Sequence, residues 1–543
     1  MRAPALSEVL ATAFFASNVL AIVSMKMSRG PELNPDKRRH LSTRAHLTAV
    51  LNNNVTGGSY YVEVNVGTPG QKQTLALDTG STDVWLLSST ADLCTDSELQ
   101  EELEDGCASV FDSSESSTFK VVGEGEFSIQ YADESGADGD YITDTLQVGG
   151  ASITALEMGY AYNATLGTGL IGVGYTINEA SDSSETEGGA FTYPSIIDTM
   201  VSQGLIARKA YSLYLNDLEA STGNIIFGGL DSDKYHGDLL QLPVVPTRLR
   251  NGSSLYTDLG VVLTSFGITG QNGNTQNITT SGYKAQVILD SGTTLTYLPE
   301  TLAAEIYTRI GATDDSENSG LIYVDCDIVT NSPALTFDYG FGGASGVSIK
   351  IPIDEVVLPL ADLSSPDSLV LPELNYTNAC GFAIFGTSEA PYILGDTFLR
   401  SAYVVYDLQS NEIAIAQTNF NSTSSNIVEF TATETGIPNV SGVASSAAVT
   451  ATATGNLPGI GNGRTSAGTG TSSASASASS GTGSATGLVT TAGGTAASTP
   501  TSTPSASKSS SAGVSTVPAF DGRGLVVMGV AGVFAVLGGG WVL

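Results

Sequence analysis

Residues 75–87 read LALDTGSTDVWLL, and the recurrence of this stretch decides the fold. An apolar run carries Asp78 into a Thr79-Gly80-Ser81 turn, and the chain turns apolar again through Trp85, which places a carboxylate at the end of a buried strand. Gly80 lets the backbone turn sharply, and Thr79 and Ser81 set hydroxyls beside the acid. A single turn of this kind is ordinary strand punctuation. From Val287, however, the chain reads VILDSGTTLTYLP, which gives Asp290 the same setting with Ser291, Gly292 and Thr293. Downstream of the first acid lies GTGLIGVG (Gly167 to Gly174), and downstream of the second lies APYILGDT (Ala390 to Thr397). Each is an apolar run closed by glycine and is expected to thread behind its Asp turn. The duplication predicts a mostly β, bilobal protein in which each lobe brings one carboxylate to a shared cleft. Thr79 and Ser291 are expected to orient the two turns against each other, with Ser81 and Thr293 on the outer carboxylate oxygens.

Two carboxyls held together cannot both ionise cheaply, so they share one proton over a wide pH range. The ionised partner takes a proton from water while the protonated one polarises a carbonyl, which suits amide hydrolysis in acid without a covalent intermediate. Over residues 59–418 the chain resembles the pepsin-type aspartic proteases, whose shared-proton dyad is an established case of paired carboxyl chemistry. The resemblance implies an aspartic endopeptidase with Asp78 and Asp290 as catalytic residues, needing neither metal nor organic cofactor. Other chemistries find little support. Only His40, His46 and His236 are present, none beside a cysteine or a G-x-S-x-G, which disfavours a Ser/His/Asp triad or a zinc site.

Composition divides the remainder. Arg2 followed by a mostly apolar run from Val9 to Val23 reads as a signal peptide over residues 1–24. Residues 25–39 end in Lys37-Arg38-Arg39; charge alone equally allows a solvated basic arm, and resemblance to fungal secreted aspartic proteases implies a short pro-segment. The net charge is −34; residues 1–39 hold six basic and three acidic side chains and residues 419–543 three of each, so residues 40–418 carry about −37. Such a surface repels nucleic acid and favours basic partners. Short apolar and alternating segments cut by Gly, Asn, Asp and Ser fill two expected lobes, 40–217 and 218–418, with little helix except near Ser195 to Gln203 and Leu302 to Ile310. The segment YSLYLND around Tyr211 is expected to cross between them.

Cys94, Cys107, Cys326 and Cys380 imply two disulfides with three possible pairings. Proximity and one pair per lobe favour Cys94–Cys107 and Cys326–Cys380. The first closes CTDSELQEELEDGC, which resembles the acidic insertions of yapsin-type fungal proteases. The stretch EFSIQYADESGADGDYITDTL reads as a hairpin with a polar turn. By resemblance this hairpin is the flap over the cleft, Tyr131 its cleft-facing phenol and Trp85 the hydrogen-bond partner of that phenol. Asp133 lies at the presumed flap tip, where it either supports the turn or meets a basic substrate side chain. Resemblance to yapsins, which favour basic residues at the cleavage site, points to the second role.

From residue 419 the composition shifts to Ser, Thr, Gly and Ala, read as an extended stalk over 419–513. Asn54, Asn163, Asn251, Asn277, Asn375, Asn421 and Asn439 open Asn-x-Ser/Thr sequons for glycans. Small residues Ser511, Ala512 and Gly513, a spacer and the uncharged run from Gly524 to Leu543 match a lipid-anchor (GPI) attachment signal over 514–543. A plain membrane span is the alternative. The resulting expectation is a monomeric cell-surface enzyme acting on peptides or proteins, anchored to the membrane by lipid and binding no nucleic acid. A non-catalytic binding protein of the same fold, or a structural wall glycoprotein, remains the competing reading.

Overall fold

The computed structural model describes residues 23–29, 59–102, 106–133, 135–183, 191–220, 222–248, 253–360, 371–388, 390–432 and 436–444. The architecture is mostly β, as expected, and the two halves repeat one arrangement around their acids. In the first half, strand Gln71–Asp78 runs parallel to Gly169–Gly172, with Asp78 opposite Gly172. Gly169–Gly172 in turn pairs antiparallel with Val84–Leu87. In the second half, Ala285–Leu289 runs parallel to Tyr392–Leu394, which pairs antiparallel with Thr296–Pro299. The two glycine-closed runs therefore do thread behind their Asp turns. Their glycines are needed there: a Cβ on Gly172 would sit 2.6 Å from the Thr82 backbone, and one on Gly395 would sit 2.2 Å from the Thr293 carbonyl oxygen.

The halves share a sheet. Ala210–Tyr214, which overlaps the start of the YSLYLND segment, pairs antiparallel with Ala402–Asp407 of the second half. Alternation divides the side chains of these strands: Tyr211, Leu213, Val404 and Tyr406 join the core on one face, while Ala210, Tyr214, Tyr403 and Val405 join a separate apolar cluster on the other. Both expected helices form. Ile196–Ser202 is capped by Ser195, whose Oγ accepts from the Asp198 amide at 3.2 Å, and Glu300–Ile310 ends at Gly311 with φ +74°.

Two boundaries need correction. The ordered protein does not stop at 418 and give way to a stalk at 419. Ile427–Glu429 pairs with Gly229–Asp231, and Val440–Val443 runs parallel to Tyr235–Pro243. Phe430 and Ile437 are buried against Tyr403, Val405 and Ala414 on the sheet face remote from the acids. Widely spaced apolar residues in a Ser/Thr-rich background suffice, because the sheet supplies the other side of the contact. At the other end, the backbone of Val23–Arg29, assigned above to the end of the leader and the start of the pro-segment, forms a strand between Thr222–Phe227 and Tyr60–Val66. The remainder of residues 1–39, the later stalk and the anchor signal lie outside the described residues.

Candidate active site

Asp78 and Asp290 meet between the halves, both fully buried. Each carboxyl is held in the same way by its own turn. The Gly80 amide donates to Asp78 Oδ1 at 2.7 Å and Ser81 Oγ donates to Oδ2. The Gly292 amide donates to Asp290 Oδ1 at 2.9 Å and Thr293 Oγ1 to Oδ2 at 2.6 Å. The turns are locked across the interface by a reciprocal set. Thr79 Oγ1 donates to the Leu289 carbonyl and accepts from the Ser291 amide, both at 2.9 Å. Ser291 Oγ donates to the Leu77 carbonyl at 3.0 Å and accepts from the Thr79 amide at 3.2 Å. All six expected turn residues are thus where the duplicated pattern places them.

The approach of the two turns explains their glycines. A Cβ on Gly80 would lie 2.7 Å from Asp290 Oδ1, so any larger residue would push the acids apart. With the carboxyls in hydrogen-bonding reach of each other, both are held above the ordinary carboxyl range. Burial raises Asp78, partly offset by the bonds from Ser81 and Gly80. Burial raises Asp290 well above its usual value, and the neighbouring charge of Asp78 raises it further. The pair therefore shares one proton over a wide range of pH.

Above the acids, strands Lys120–Gln130 and Gly136–Val148 form the expected hairpin. Trp85 Nε1 donates to Tyr131 Oη at 2.8 Å, tying the hairpin to the strand that follows the first acid. Asp133, at the hairpin tip, accepts from the Ser135 amide at 3.0 Å and from Ser135 Oγ at 2.5 Å, so it does support the turn. Burial raises the phenol of Tyr297 in the second half, and the charge of Asp133 raises it further. The disulfides pair Cys94 with Cys107 and Cys326 with Cys380, with Cα atoms 5.5 and 5.1 Å apart. Of the acidic loop, helix Ser97–Glu102 is described, while Glu104 and Asp105 lie outside the described residues. Among the described residues, no group of three His, Cys, Asp or Glu side chains is placed to hold a metal ion.

Two duplicated Asp turns locked face to face, sharing a proton beneath a hairpin, agree with what the comparisons return. The chain belongs to the eukaryotic aspartyl protease family, whose model matches residues 59–418. It is 38% identical over 416 residues to the probable aspartic-type endopeptidase opsB of Aspergillus fumigatus, covering 76% of this chain and 79% of that protein. The corresponding protein of Aspergillus oryzae is 35% identical, over 77% and 80% of the two chains. Secreted aspartic protease 8 of Candida albicans is 34% identical, over 68% and 78%. In fold, the chain is similar to the crystal structure of aspartic proteinase from Irpex lacteus, with a TM-score of 0.50 and 21% identity over 68% of this chain and 96% of that one. The protein is an aspartic-type endopeptidase.

The first half of this protease also holds residues that the sequence reading passed over. Asn178 Nδ2 donates to the Gly80 carbonyl at 3.0 Å, and Thr82 Oγ1 donates to the Tyr175 carbonyl at 2.7 Å. Asp83 and Glu179 are both fully buried behind the Asp78 turn. Asp83 lay inside the stretch quoted at the outset, and an acid followed directly by the apolar run VWLL was the available signal.

Proposed function

We propose that Asp78 and Asp290 are the catalytic dyad of an extracellular, cell-surface endopeptidase. The observation that carries this reading is the locked pair of buried carboxyls, both raised by burial so that they share one proton. Asp78 takes a proton from the attacking water as the Asp290 proton moves to the carbonyl oxygen, giving a neutral gem-diol. Asp78 then delivers its proton to the amide nitrogen as the C–N bond breaks, and Asp290 recovers a proton from the diol. The dyad ends with the single proton it began with. Tyr131, anchored by Trp85, covers the substrate from the hairpin.

Export is supported by the leader-like start of the chain and by the relatives that include a secreted aspartic protease. The uncharged C-terminal run supports lipid anchoring at the outer surface, with the chain beyond residue 444 as the tether. A preference for Lys or Arg before the scissile bond is supported by Asp133, which lies at the flap tip and whose charge is felt by Tyr297 of the second half. An ion pair in a partly closed cleft is stronger than one on open surface.

The test is cleavage of a peptide library by the purified chain in acid, followed by matched peptides with Lys or Leu before the scissile bond. Wild type should cut the Lys peptide faster, and Asp133→Thr should remove most of that preference. Absence of any cleavage would overturn the enzymatic assignment, and a preference indifferent to Asp133→Thr would overturn the role of that residue.

A further inference from the structure

Behind the Asp78 turn, Asp83 and Glu179 form a second buried carboxyl pair, for which the dyad mechanism has no use. Asp83 Oδ2 accepts from the Ala180 amide at 2.8 Å, and Oδ1 accepts from Tyr193 Oη at 2.6 Å. Glu179 Oε2 accepts from the Tyr193 amide at 2.9 Å, while its Oε1 is buried and accepts no hydrogen bond. Among the described residues, no cation neutralises either acid. The groups facing them are Tyr193 and Tyr141, together with Glu157 and with Asp198, whose charge is already engaged by Lys209. The phenol of Tyr131 is raised by burial and by the charges of both Asp78 and Asp83.

The pair closes a chain of contacts from the catalytic turn to the flap. The turn is bolted to residues 172–180 by Gly172 N to the Asp83 carbonyl (2.9 Å), Gly174 N to the Ser81 carbonyl (2.8 Å) and Asn178 to the Gly80 carbonyl. Asp83 and Glu179 extend that seam to Tyr193. The Tyr193 ring packs edge-on against Tyr141 at 5.4 Å, and Tyr141 packs edge-on against Phe127 at 5.4 Å. Tyr141 and Phe127 lie on the two flap strands, and Phe127 borders Trp85, the anchor of Tyr131.

We propose that Asp83 and Glu179 are positioning residues for peptide hydrolysis, a proton-loaded clasp that holds the catalytic turn and the flap base in register in acid and loosens that register when it ionises. An ionised carboxylate with a bare buried oxygen is strongly disfavoured, so Glu179 keeps its proton. Burial pushes Asp83 up to about 6 and Glu179 up to about 10, the latter with help from the Asp83 charge. Both shifts are upward, so the clasp is intact below the ordinary carboxyl range and weakens as pH rises through about 6, where Asp83 takes on charge.

The proposal uses the dyad reading only for its kinetic readout, so a second readout is taken from Trp85. In a Trp541→Phe background, Trp85 is the sole tryptophan of the chain. Its fluorescence should change with a midpoint near pH 6, and KM should rise over the same interval. Asp83→Asn keeps an acceptor for Ala180 and cannot ionise. It should fold, turn over in acid within about threefold of wild type, and abolish the Trp85 transition. Asp83→Ala, which removes both acceptors, should raise KM about tenfold in acid with a smaller change in kcat. A Trp85 transition that survives Asp83→Asn, an Asp83→Asn chain that fails to fold, or a folded Asp83→Ala enzyme with unchanged KM would overturn the clasp. Loss of all turnover in wild type with the Trp85 transition present would instead overturn the dyad assignment.

Discussion

Replacing Arg208 tests whether the two halves are one cooperative unit. Arg208 lies just before strand Ala210–Tyr214, and Asp407 ends the partner strand opposite Ala210. The guanidinium grips the carboxylate at both oxygens: Nε to Oδ1 at 3.1 Å and Nη2 to Oδ2 at 2.5 Å. Both side chains are about 2% exposed or less, so water cannot replace either partner. Arg208→Leu leaves Asp407 buried with two backbone donors, Gln409 N and Ser410 N, but no cation among the described residues. Removing one member of such a pair costs about 3–5 kcal/mol, and the surviving donors place this case near the lower figure. A folded unit approaching 400 residues has an unfolding entropy of about 0.8 kcal/mol/K, so about 3 kcal/mol corresponds to a fall of about 4 °C. The assay is thermal unfolding followed by calorimetry at pH 5. Adding Asp407→Asn should recover most of the loss, because a neutral amide oxygen still accepts from the same donors. A single variant that loses under 1 kcal/mol, or a double variant less stable than the single, would refute the reasoning.

Three further outcomes are expected. Thr79→Val removes the hydroxyl that links the Leu289 carbonyl and the Ser291 amide; it should cost about 2–4 kcal/mol in a melting experiment and lower kcat at least tenfold. The raised value of Asp83, about 6 against an ordinary 3.8, means that its proton favours the folded state; about 3 kcal/mol of stability present below pH 4 should be lost as pH rises through 6, read as a falling urea midpoint. Phe430→Ala should cost about 3–5 kcal/mol in urea unfolding, since its ring is buried against the shared sheet; a near-neutral result would return the end of the folded unit to residue 418.

What could be read from the sequence was whatever the chain states twice. The two Asp turns, their hydroxyl partners and the glycine-closed threads behind them were legible because duplication turns an ordinary turn into a constraint on two halves at once. The two longest helices were legible from local pattern, and Ser195 and Gly311 mark their ends as capping physics requires. The strap of residues 427–443 was not. Phe430, Ile437 and Val440 are too far apart for any local period, and only the exposed underside of a sheet built elsewhere makes them a surface. Asp83 and Glu179 were hidden for a different reason. A lone acid beside an apolar run looks like punctuation until Tyr193, more than a hundred residues beyond Asp83, is brought onto it. The sequence leaves Asp133 between two roles; its bonds from Ser135 establish the turn support, and the substrate role is what the Asp133→Thr comparison tests.

The most direct measurement is kcat for Asp78→Asn and for Asp290→Asn on one peptide in acid, with the melting temperature of each recorded beside it. Amides keep the turn hydrogen bonds to Gly80 and Gly292 but cannot pass the proton between water, carbonyl and leaving nitrogen. Each variant should lose about a hundred- to ten-thousandfold in kcat while melting within a few degrees of wild type. Either variant retaining more than about a tenth of wild-type kcat would contradict a mechanism in which both carboxyls carry the reaction.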